Sequence, residues 1–311
     1  MSPQNRLRRP FTKAENHFGQ GISAGRLRIG DDDATQVLLE GDWPELVRSL
    51  GQLGEVVATT NNPAVSLSQT GIYPHFRTCP CKNPACSLNR GLVFDFSAWQ
   101  EVWAARRKAD DGIWRTLTIA DSASASHQIL FPAEAGDERF TQLISKFVPA
   151  KPASYAASPR FLRSSMNHRP QASLTQPERF RQRKREFIES KRSGARAIHP
   201  ESMPEIWRNI LAERLHISTV AVTAPVVHPA LWQPVSLSET SGILAVASRN
   251  TFFRCQLAEI SEIWAVPHSR EAETLLTLEV YDAQDSLFFA LAGAPEEKVF
   301  WHELLQWLPT A

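Results

Sequence analysis

The spacing of apolar and polar residues describes a unit that the chain contains twice. Leu46, Val47 and Leu50 lie at helical spacing after Pro44, a residue that favours the first turn of a helix. β-rich stretches broken by Gly, Pro and Asn follow, and two alternating stretches meet at an aspartate, as strands do in a hairpin. Apolar residues at helical spacing close the unit near Phe147. The pattern predicts a helix, several antiparallel strands and a second helix, an α+β unit.

The same phrase occurs at two places that are 161 residues apart. "FSAWQEVWAA" at 96–105 is echoed by "LAEISEIWAV" at 257–266, with Trp103 over Trp264. The match continues at the same offset without a gap through further pairs, among them Asp121 with Asp282, Leu130 with Leu291, and Leu143 with Leu304. A period this long indicates two tandem domains, because solenoid repeats recur every ~20–50 residues.

We therefore predict a duplicated α+β protein in which two copies of a helix-flanked antiparallel β-sheet domain are stacked around a cleft. The predicted organisation is a polar N-terminal extension over 1–40, a first copy over 41–149, a linker over 150–200 and a second copy over 201–311. The linker is rich in Pro, Ala and Ser and contains a basic stretch, residues 177–192. The simplest interpretation of that stretch is a solvated helix.

Composition narrows the class of protein. A formal net charge of +1 with 22% charged residues argues against a nucleic-acid binder. No apolar run approaches the ~20 residues that span a bilayer. Four cysteines in 311 residues do not form a disulfide scaffold, which favours a cytoplasmic protein with reduced thiols. No nucleophile elbow, phosphate loop or zinc-protease motif is present, so the residues alone do not indicate an enzyme.

Four stretches of the two copies carry a resemblance to a known family. They are "GEVVATTNNPAVSLSQTGIY" (54–73), "AWQEVWAARRKADDGIWRTLTIAD" (98–121), "SHQILF" (126–131) and "SEIWAVPHSREAETLLTLEVYDAQDSLFFA" (261–290). In this order they resemble the haem-utilisation family of HemS/ChuX type, the bacterial hemin-degrading factors and hemin-transport proteins, whose full-length members are duplicated as well. The resemblance implies a cytoplasmic protein that binds haem or a haem-like tetrapyrrole in the cleft, for uptake, trafficking or degradation. It also implies a protein that donates haem to it or accepts haem from it. Degradation is implied by the resemblance only.

The residues that contact haem in that family are not matched here. The resemblance implies an axial histidine on the first helix of the second half and an arginine from a first-half strand, since imidazole suits iron and guanidinium suits propionates. The corresponding helix position falls near Ile206 and Trp207, and the strand position on Val93. The second-copy counterpart of Val93 is Arg254.

Four residues are therefore the candidates for haem contact. His199 lies where the linker meets the second copy, and His127 lies in "SHQILF", where the resemblance places a histidine and the second copy has Phe288. Arg254 is the third candidate. Cys79 precedes a proline, as in haem-regulatory motifs in which a thiolate binds iron. The structural alternatives are a packed His127 and an exposed, uncommitted His199.

A second hypothesis rests on "HFRTCPCKNPAC" (75–86), which has no counterpart in the second copy. Its possible ligands for zinc or an iron–sulfur cluster are His75, Cys79, Cys81 and Cys86. The C-x-C-x4-C spacing is not that of a standard zinc knuckle, so a cysteine-rich loop without a cofactor stays open. A third hypothesis is a non-haem interaction protein that uses the cleft or the basic stretch.

Overall fold

The computed structural model describes residues 34–73, 76–78, 84–87, 92–109, 112–121, 125–131, 137–149, 181–182, 184–185, 194–270 and 273–311. Within them the chain forms four α-helices and two nine-stranded antiparallel sheets, which confirms the predicted α+β class. No helix of these residues is long and apolar enough to cross a membrane.

The two copies have the same order of elements. The first copy contains helices α1 (Trp43–Leu50) and α2 (Asp137–Ser145), and strands β1 (Ala34–Leu38), β2 (Glu55–Asn61), β3 (Val65–Ile72), β4 (Phe76–Thr78), β5 (Pro84–Ser87), β6 (Val93–Asp95), β7 (Glu101–Ala109), β8 (Gly112–Ala120) and β9 (Ser126–Phe131). The second contains α3 (Met203–Ala212) and α4 (Lys298–Trp307), and strands β10 (Arg196–Ile198), β11 (Ile217–Val222), β12 (Val226–Trp232), β13 (Ser236–Thr240), β14 (Ile243–Ala247), β15 (Thr251–Gln256), β16 (Glu262–Arg270), β17 (Glu273–Tyr281) and β18 (Leu287–Gly293). The duplication predicted from the repeated phrase is thus visible element by element.

Local sequence explains where the first helix begins. Asp42 is the N-cap of α1, and its Oδ1 accepts a hydrogen bond from the backbone N–H of Glu45 at 3.2 Å. Pro44 occupies the first turn, where its missing N–H is not needed. Leu46, Val47 and Leu50 are buried, as their spacing predicts.

Each sheet contains strands of both copies. The first sheet has the order β1-β7-β8-β9-β2-β3-β15-β14-β13, and the second has the order β10-β16-β17-β18-β11-β12-β6-β5-β4. The copies join along β3–β15 and β12–β6. Equivalent hydrogen bonds cross between the copies at corresponding positions, from Gln256 N–H to the Ala64 carbonyl at 2.8 Å and from Asp95 N–H to the Pro225 carbonyl at 3.0 Å. The two copies are therefore related by an approximate two-fold arrangement.

Two apolar cores lie between the sheets, one for each copy. The first surrounds α1, and it includes Phe94 of the second sheet and Leu117 of the first. The second surrounds α3, and it includes Phe253 of the first sheet and Leu278 of the second. Each core is therefore bounded by both sheets.

The register of the two copies shifts by one residue in the returning strand of the last hairpin. His127 lies opposite Ile119 in the first copy, whereas Phe289 lies opposite Val280 in the second. A β-bulge at the end of β17 accommodates the extra residue. The structural counterpart of His127 is therefore Phe289 and not Phe288, and the gap-free offset predicted from the sequence ends at this bulge.

The repeated tryptophans lie on the sheet faces that point away from the cores. Trp103 Nε1 donates to Glu101 Oε2 at 2.9 Å, and Trp264 Nε1 donates to Glu262 Oε2 at 2.7 Å. Val102, which precedes Trp103 on β7, faces the first core. What the repeated phrase preserves is this Trp–Glu pair after a short 3-10 turn, together with the alternation of the strand.

Candidate functional site

A buried group of four polar side chains connects the two sheets at the centre of the molecule. Thr60 Oγ1 on β2 lies 2.7 Å from Nδ1 of His127 on β9 and 2.9 Å from Nδ1 of His228 on β12. The Nε2 of His127 is hydrogen-bonded to the hydroxyl of Tyr73, which follows β3. Because β12 belongs to the second sheet and the other three residues to the first, this network bridges the copies.

The single hydroxyl proton of Thr60 determines the tautomers of the two imidazoles. A threonine hydroxyl has one hydrogen, so it donates to one Nδ1 atom and accepts from the other. If His127 accepts at Nδ1, it carries its proton on Nε2 and His228 carries its proton on Nδ1. If the bond to His228 points the other way, both tautomers reverse. The two neutral rings therefore always have opposite tautomers.

Burial keeps the network uncharged. It lowers the pKa of His228 to about 4, because a protonated ring would lose its hydration. Burial also holds the pKa of His127 well below its usual range, and the neighbouring His228 adds to that effect. The pKa of the Tyr73 hydroxyl is raised by the same loss of hydration. Both histidines are neutral at physiological pH.

A small cavity of about 30 Å³ lies beside this network. Its lining includes Val56, Ala58, Gln69, Ile72, Tyr73 and His228. Most of the side chains in its wall are apolar, and a cavity of this volume has room for about one water molecule.

Sequence reasoning found one half of this network and missed the other. His127 was a candidate, and the structure gives both of its ring nitrogens hydrogen-bond partners in a fully buried position. His228 and Tyr73 were not candidates. The repeat was the signal that could have indicated His228, because His228 and Leu67 occupy equivalent positions in the two copies. His228 pairs with Ala221 of the preceding strand, and Leu67 pairs with Thr60 of its preceding strand.

His199 lies directly after β10 and begins the 3-10 turn that leads into α3. Its side chain is 50% exposed, and its Nδ1 is 3.9 Å from Oε2 of Glu201. Its backbone N–H donates to the carbonyl of Pro309 at 3.2 Å, which fixes the main chain while the ring stays accessible.

The structure does not bring Arg254 to the same place. Arg254 lies on β15 between Phe253 and Cys255, which both face the core around α3. Its own side chain therefore lies on the opposite face of the first sheet. The sheet separates it from α3 and from the turn at His199.

The cysteine loop falls largely outside the described residues. His75, Cys79 and Cys81 lie there, and Cys86 lies in β5. No group of three or more metal-ligating side chains occurs in the part of the chain that the structure describes. Cys255 is fully buried in the second core, and burial raises the pKa of its thiol to about 12, so it is a packed, protonated side chain.

A further buried charge lies on the outer face of the second sheet. Lys184, in the basic stretch of the linker, is only 1% exposed, in contrast to the solvated helix that its sequence predicts. Its ammonium is 2.9 Å from Oε2 of Glu262, is hydrogen-bonded to Asp285, and lies 5.2 Å from the ring centre of Tyr281. Burial alone would lower the pKa of Lys184, but the hydrogen bonds and charges of the two carboxylates outweigh it and raise that pKa.

An apolar cluster lies on the same outer face, next to β10. Its buried members are Val222, Val266, Tyr281 and Leu287, with Trp264 packed partly buried against them. Ala197 of β10 pairs with Trp264, and His199 follows two residues later. The accessible imidazole of His199 therefore lies two residues along the chain from the strand pair that borders this buried cluster.

Comparison with known proteins gives a family and a fold. Residues 23–147 match the haemin-degrading HemS/ChuX domain. Holo-PhuS, a heme-binding protein from Pseudomonas aeruginosa, has a similar structure with a TM-score of 0.73 and 17% identity, and 100% of each chain is covered. ChuS, a heme oxygenase of E. coli, has a TM-score of 0.72 and 13% identity, with 89% of each chain covered. No curated protein matches the chain.

These findings agree with the resemblance carried by the repeated strands. The domain match covers most of the first copy, and the two structures share the fold over both copies. Residues 23–147 are thus similar to the haem-utilisation family of HemS/ChuX type, and the whole chain shares the fold of PhuS and ChuS.

Proposed function

We propose that this protein binds haem and takes part in haem uptake, trafficking or degradation. The observation that carries the proposal is the haemin-degrading HemS/ChuX domain at 23–147, within a fold shared over its whole length with a heme-binding protein. The structural likeness by itself supports the fold, and the domain match supports the ligand.

The side chains near His199 are of the types that a haem requires. Haem has two large apolar faces and an iron that accepts an imidazole nitrogen, and bound haem supplies an iron centre for ligand binding and redox chemistry. His199 would provide the iron ligand because its ring is half exposed. Trp264, which is partly buried and pairs with Ala197 two residues before His199, would provide an apolar contact.

The other predicted haem contacts fit less well. Iron ligation by His127 would break its hydrogen bond with Thr60 or with Tyr73, and would require haem to enter a fully buried position. Arg254 lies on the far face of the other sheet. We therefore propose binding through His199 as the main activity. Degradation stays secondary, because the family's usual histidine and arginine are unmatched.

A haem titration tests this proposal. The full-length protein is titrated with haem, and we expect a saturable shift of the Soret band that His199→Ala weakens at least tenfold. His216→Ala is the matched control, since His216 is 53% exposed and lies on the surface beside Glu297 at 2.9 Å. Equal loss in both variants, or no shift in the unmodified protein, would contradict the proposal.

We also propose that the protein acts in the cytoplasm and passes haem to or from another protein. The free, buried thiol of Cys255 suits a reducing compartment. Transfer of haem from the loaded protein to apomyoglobin, followed by absorbance, would show whether the bound haem is exchangeable. Retention of haem over hours in the presence of excess apomyoglobin would argue for storage instead.

A further inference from the structure

The solvent side of α4 carries an apolar surface. Val299, Phe300 and Trp307 are 68%, 57% and 86% exposed, although the opposite side of the same helix buries Trp301 and Leu305 in the second core. Phe300 and Trp307 are two helical turns apart, so they lie on one face of the helix, about 10 Å from each other along its axis. Large apolar side chains that gather on one exposed face are typical of interaction sites.

The first copy shows that the fold does not require this surface. Helix α2 occupies the equivalent place, and its buried Phe140 corresponds to Trp301. At the three positions that are exposed and apolar in α4, α2 has exposed charged residues, which are Glu138, Arg139 and Lys146. The apolar surface is therefore specific to the second copy, and packing of the helix against its core does not explain it.

The C-terminal end of α4 adjoins His199. The guanidinium of Arg196 on β10 donates to the carbonyl of Leu308 at 2.9 Å, and the backbone N–H of His199 donates to the carbonyl of Pro309 at 3.2 Å. Trp307 precedes Pro309 by two residues, so its Cα lies no more than about 15 Å from the Cα of His199. The most exposed side chain of the surface is therefore near the histidine that we propose as the haem ligand.

Acidic side chains border this surface. Glu303, midway between Phe300 and Trp307 along the helix, is exposed, and Glu201 beside His199 is 90% exposed. An acidic border favours a partner that carries lysine or arginine around an apolar centre. It disfavours an anionic membrane surface, which would repel it. It also disfavours a symmetric pair of chains, because Glu303 of one copy would face Glu303 of the other.

We infer that the face of α4 formed by Val299, Phe300 and Trp307 is the docking surface for the protein that exchanges haem with this chain. That partner presents an apolar patch bordered by basic side chains, and docking brings its haem site close to His199. The inference rests on the proposed haem binding, to which it adds the surface and the chemistry of the partner.

Site-specific photo-crosslinking tests the docking surface. Phe300 is replaced by p-benzoylphenylalanine in the full-length protein, produced in the cells from which it comes, and the crosslinked proteins are identified by mass spectrometry. The same replacement of Arg139, at the equivalent exposed position of α2, is the matched control. We expect a crosslinked partner from the α4 position only, joined through a segment that contains lysine or arginine.

Haem transfer between the purified chain and that partner tests the role of the surface. Docking makes the transfer rate rise with partner concentration and fall with added salt, whereas transfer to apomyoglobin is limited by haem dissociation. The triple variant Val299→Glu, Phe300→Arg, Trp307→Lys gives α4 the charged side chains of α2. We expect it to slow transfer with the partner at least tenfold, and to leave the Soret titration, thermal unfolding and transfer to apomyoglobin unchanged.

Several results would overturn the inference. They are the absence of crosslinked protein, crosslinks to a second copy of the chain alone, equal crosslinking from positions 300 and 139, and a transfer rate that the triple variant does not change. If the Soret shift occurs in spite of any of these results, haem binding stands and only the docking surface is wrong. If the unmodified protein shows no Soret shift, the proposed function is wrong, and a haem-exchange role for any crosslinked partner is wrong with it.

Discussion

At the scale of single residues, the two central histidines make folding stability depend on pH. His228 has a pKa of about 4 in the folded protein and an ordinary value of about 6.5 when unfolded. Its contribution is therefore fully present above pH 6.5 and is lost as the pH falls towards 4. We expect the free energy of unfolding to decrease by about 2 kcal/mol from this residue alone between pH 7.5 and pH 5. His127, whose pKa is also lowered, acts in the same direction.

Urea unfolding at several pH values measures this effect of His228. The variant used should leave the groups around the His228 ring unchanged. The groups that face His228 are Thr60, His127 and the pocket residues Gln69 and Tyr73. His228→Leu introduces the residue that the first copy has at Leu67, and it should flatten the decrease in stability at low pH. An unchanged slope in this variant would show that other groups cause the pH dependence.

Single-residue chemistry was only partly visible in the sequence. His127 was identifiable because it lies at a position that the family resemblance marks, and His199 because it lies where the linker meets the second copy, near the helix on which the resemblance places the axial histidine. The network around His127 was not identifiable. Thr60 lies 67 residues from His127 and 168 residues from His228 along the chain, and the three side chains meet only when the sheets pack. Lys184 shows the same difficulty, since a lysine among other basic residues gives no sign that two distant carboxylates will bury it.

At the scale of elements, the two copies use different side chains to pack their last helix against their last strand. In the first copy the rings of Phe131 at the end of β9 and Phe140 on α2 have centroids 4.8 Å apart. In the second copy the corresponding pair is Gly293 and Trp301, and a Cβ atom on Gly293 would lie 2.6 Å from the Cβ of Trp301. The larger ring on one element requires the absence of a side chain on the other.

This contact predicts that Gly293→Ala destabilises the second copy. We expect a loss of about 1–3 kcal/mol, because the atoms in the way are the stem of a buried tryptophan and cannot rotate aside. Thermal unfolding followed by circular dichroism measures it. In the first copy Phe131→Gly should cost more, through a cavity, and adding Phe140→Trp should recover part of that loss. If stability does not recover, the glycine–tryptophan contact of the second copy cannot replace the contact between Phe131 and Phe140 in the first.

A second prediction at this scale concerns the linker and the outer face of the second sheet. Lys184→Met keeps the length of the side chain but removes the ammonium group that contacts Glu262 and Asp285. These carboxylates are 40% and 35% exposed, so water compensates in part and we expect a loss of about 1–2 kcal/mol. Limited proteolysis of the linker should also become faster.

The matched control is Arg208→Met, which removes an ion pair of 3.0 Å with Glu239 between two exposed side chains. This change should alter stability by less than about 0.5 kcal/mol. If both variants behave alike, the linker lysine has no special role in holding the segment to the sheet.

Elements were the most predictable level of this protein. The alternation in "WRTLTIAD" and the helical spacing in "RFTQLISKF" identified β8 and α2 because each pattern reflects one buried face of one element. The β-bulge near Val280 was not predictable. The bulge shifts the register of β18 against β17 by one residue, but the alternation of apolar and polar residues in the sequence gives no sign of it.

At the scale of the whole molecule, each copy has its own core, but the sheets continue from one copy into the other. The seams are five residue pairs between β3 and β15 and two between β12 and β6. Asn62 reinforces them, since its Nδ2 donates to the carbonyls of Val222 at 3.1 Å and Phe288 at 3.0 Å. The repeat in the sequence predicts two similar units. It contains no information on edge pairing, because β-strand edges of either copy offer the same backbone groups.

The seams predict that the copies stay together after the chain between them is cut. A specific protease site is introduced within residues 150–176. After cleavage we expect both fragments to elute as one 1:1 complex that separates only in denaturant. Asn62→Asp retains the oxygen that accepts from Ala64 and Val65 N–H but replaces the donor to the second copy by a carboxylate facing two carbonyl oxygens. This variant should weaken the association of the fragments at least tenfold, through the lost and repelled hydrogen bonds. Fragments that separate without denaturant in the unmodified protein would show that the linker, and not the shared sheets, holds the two copies together.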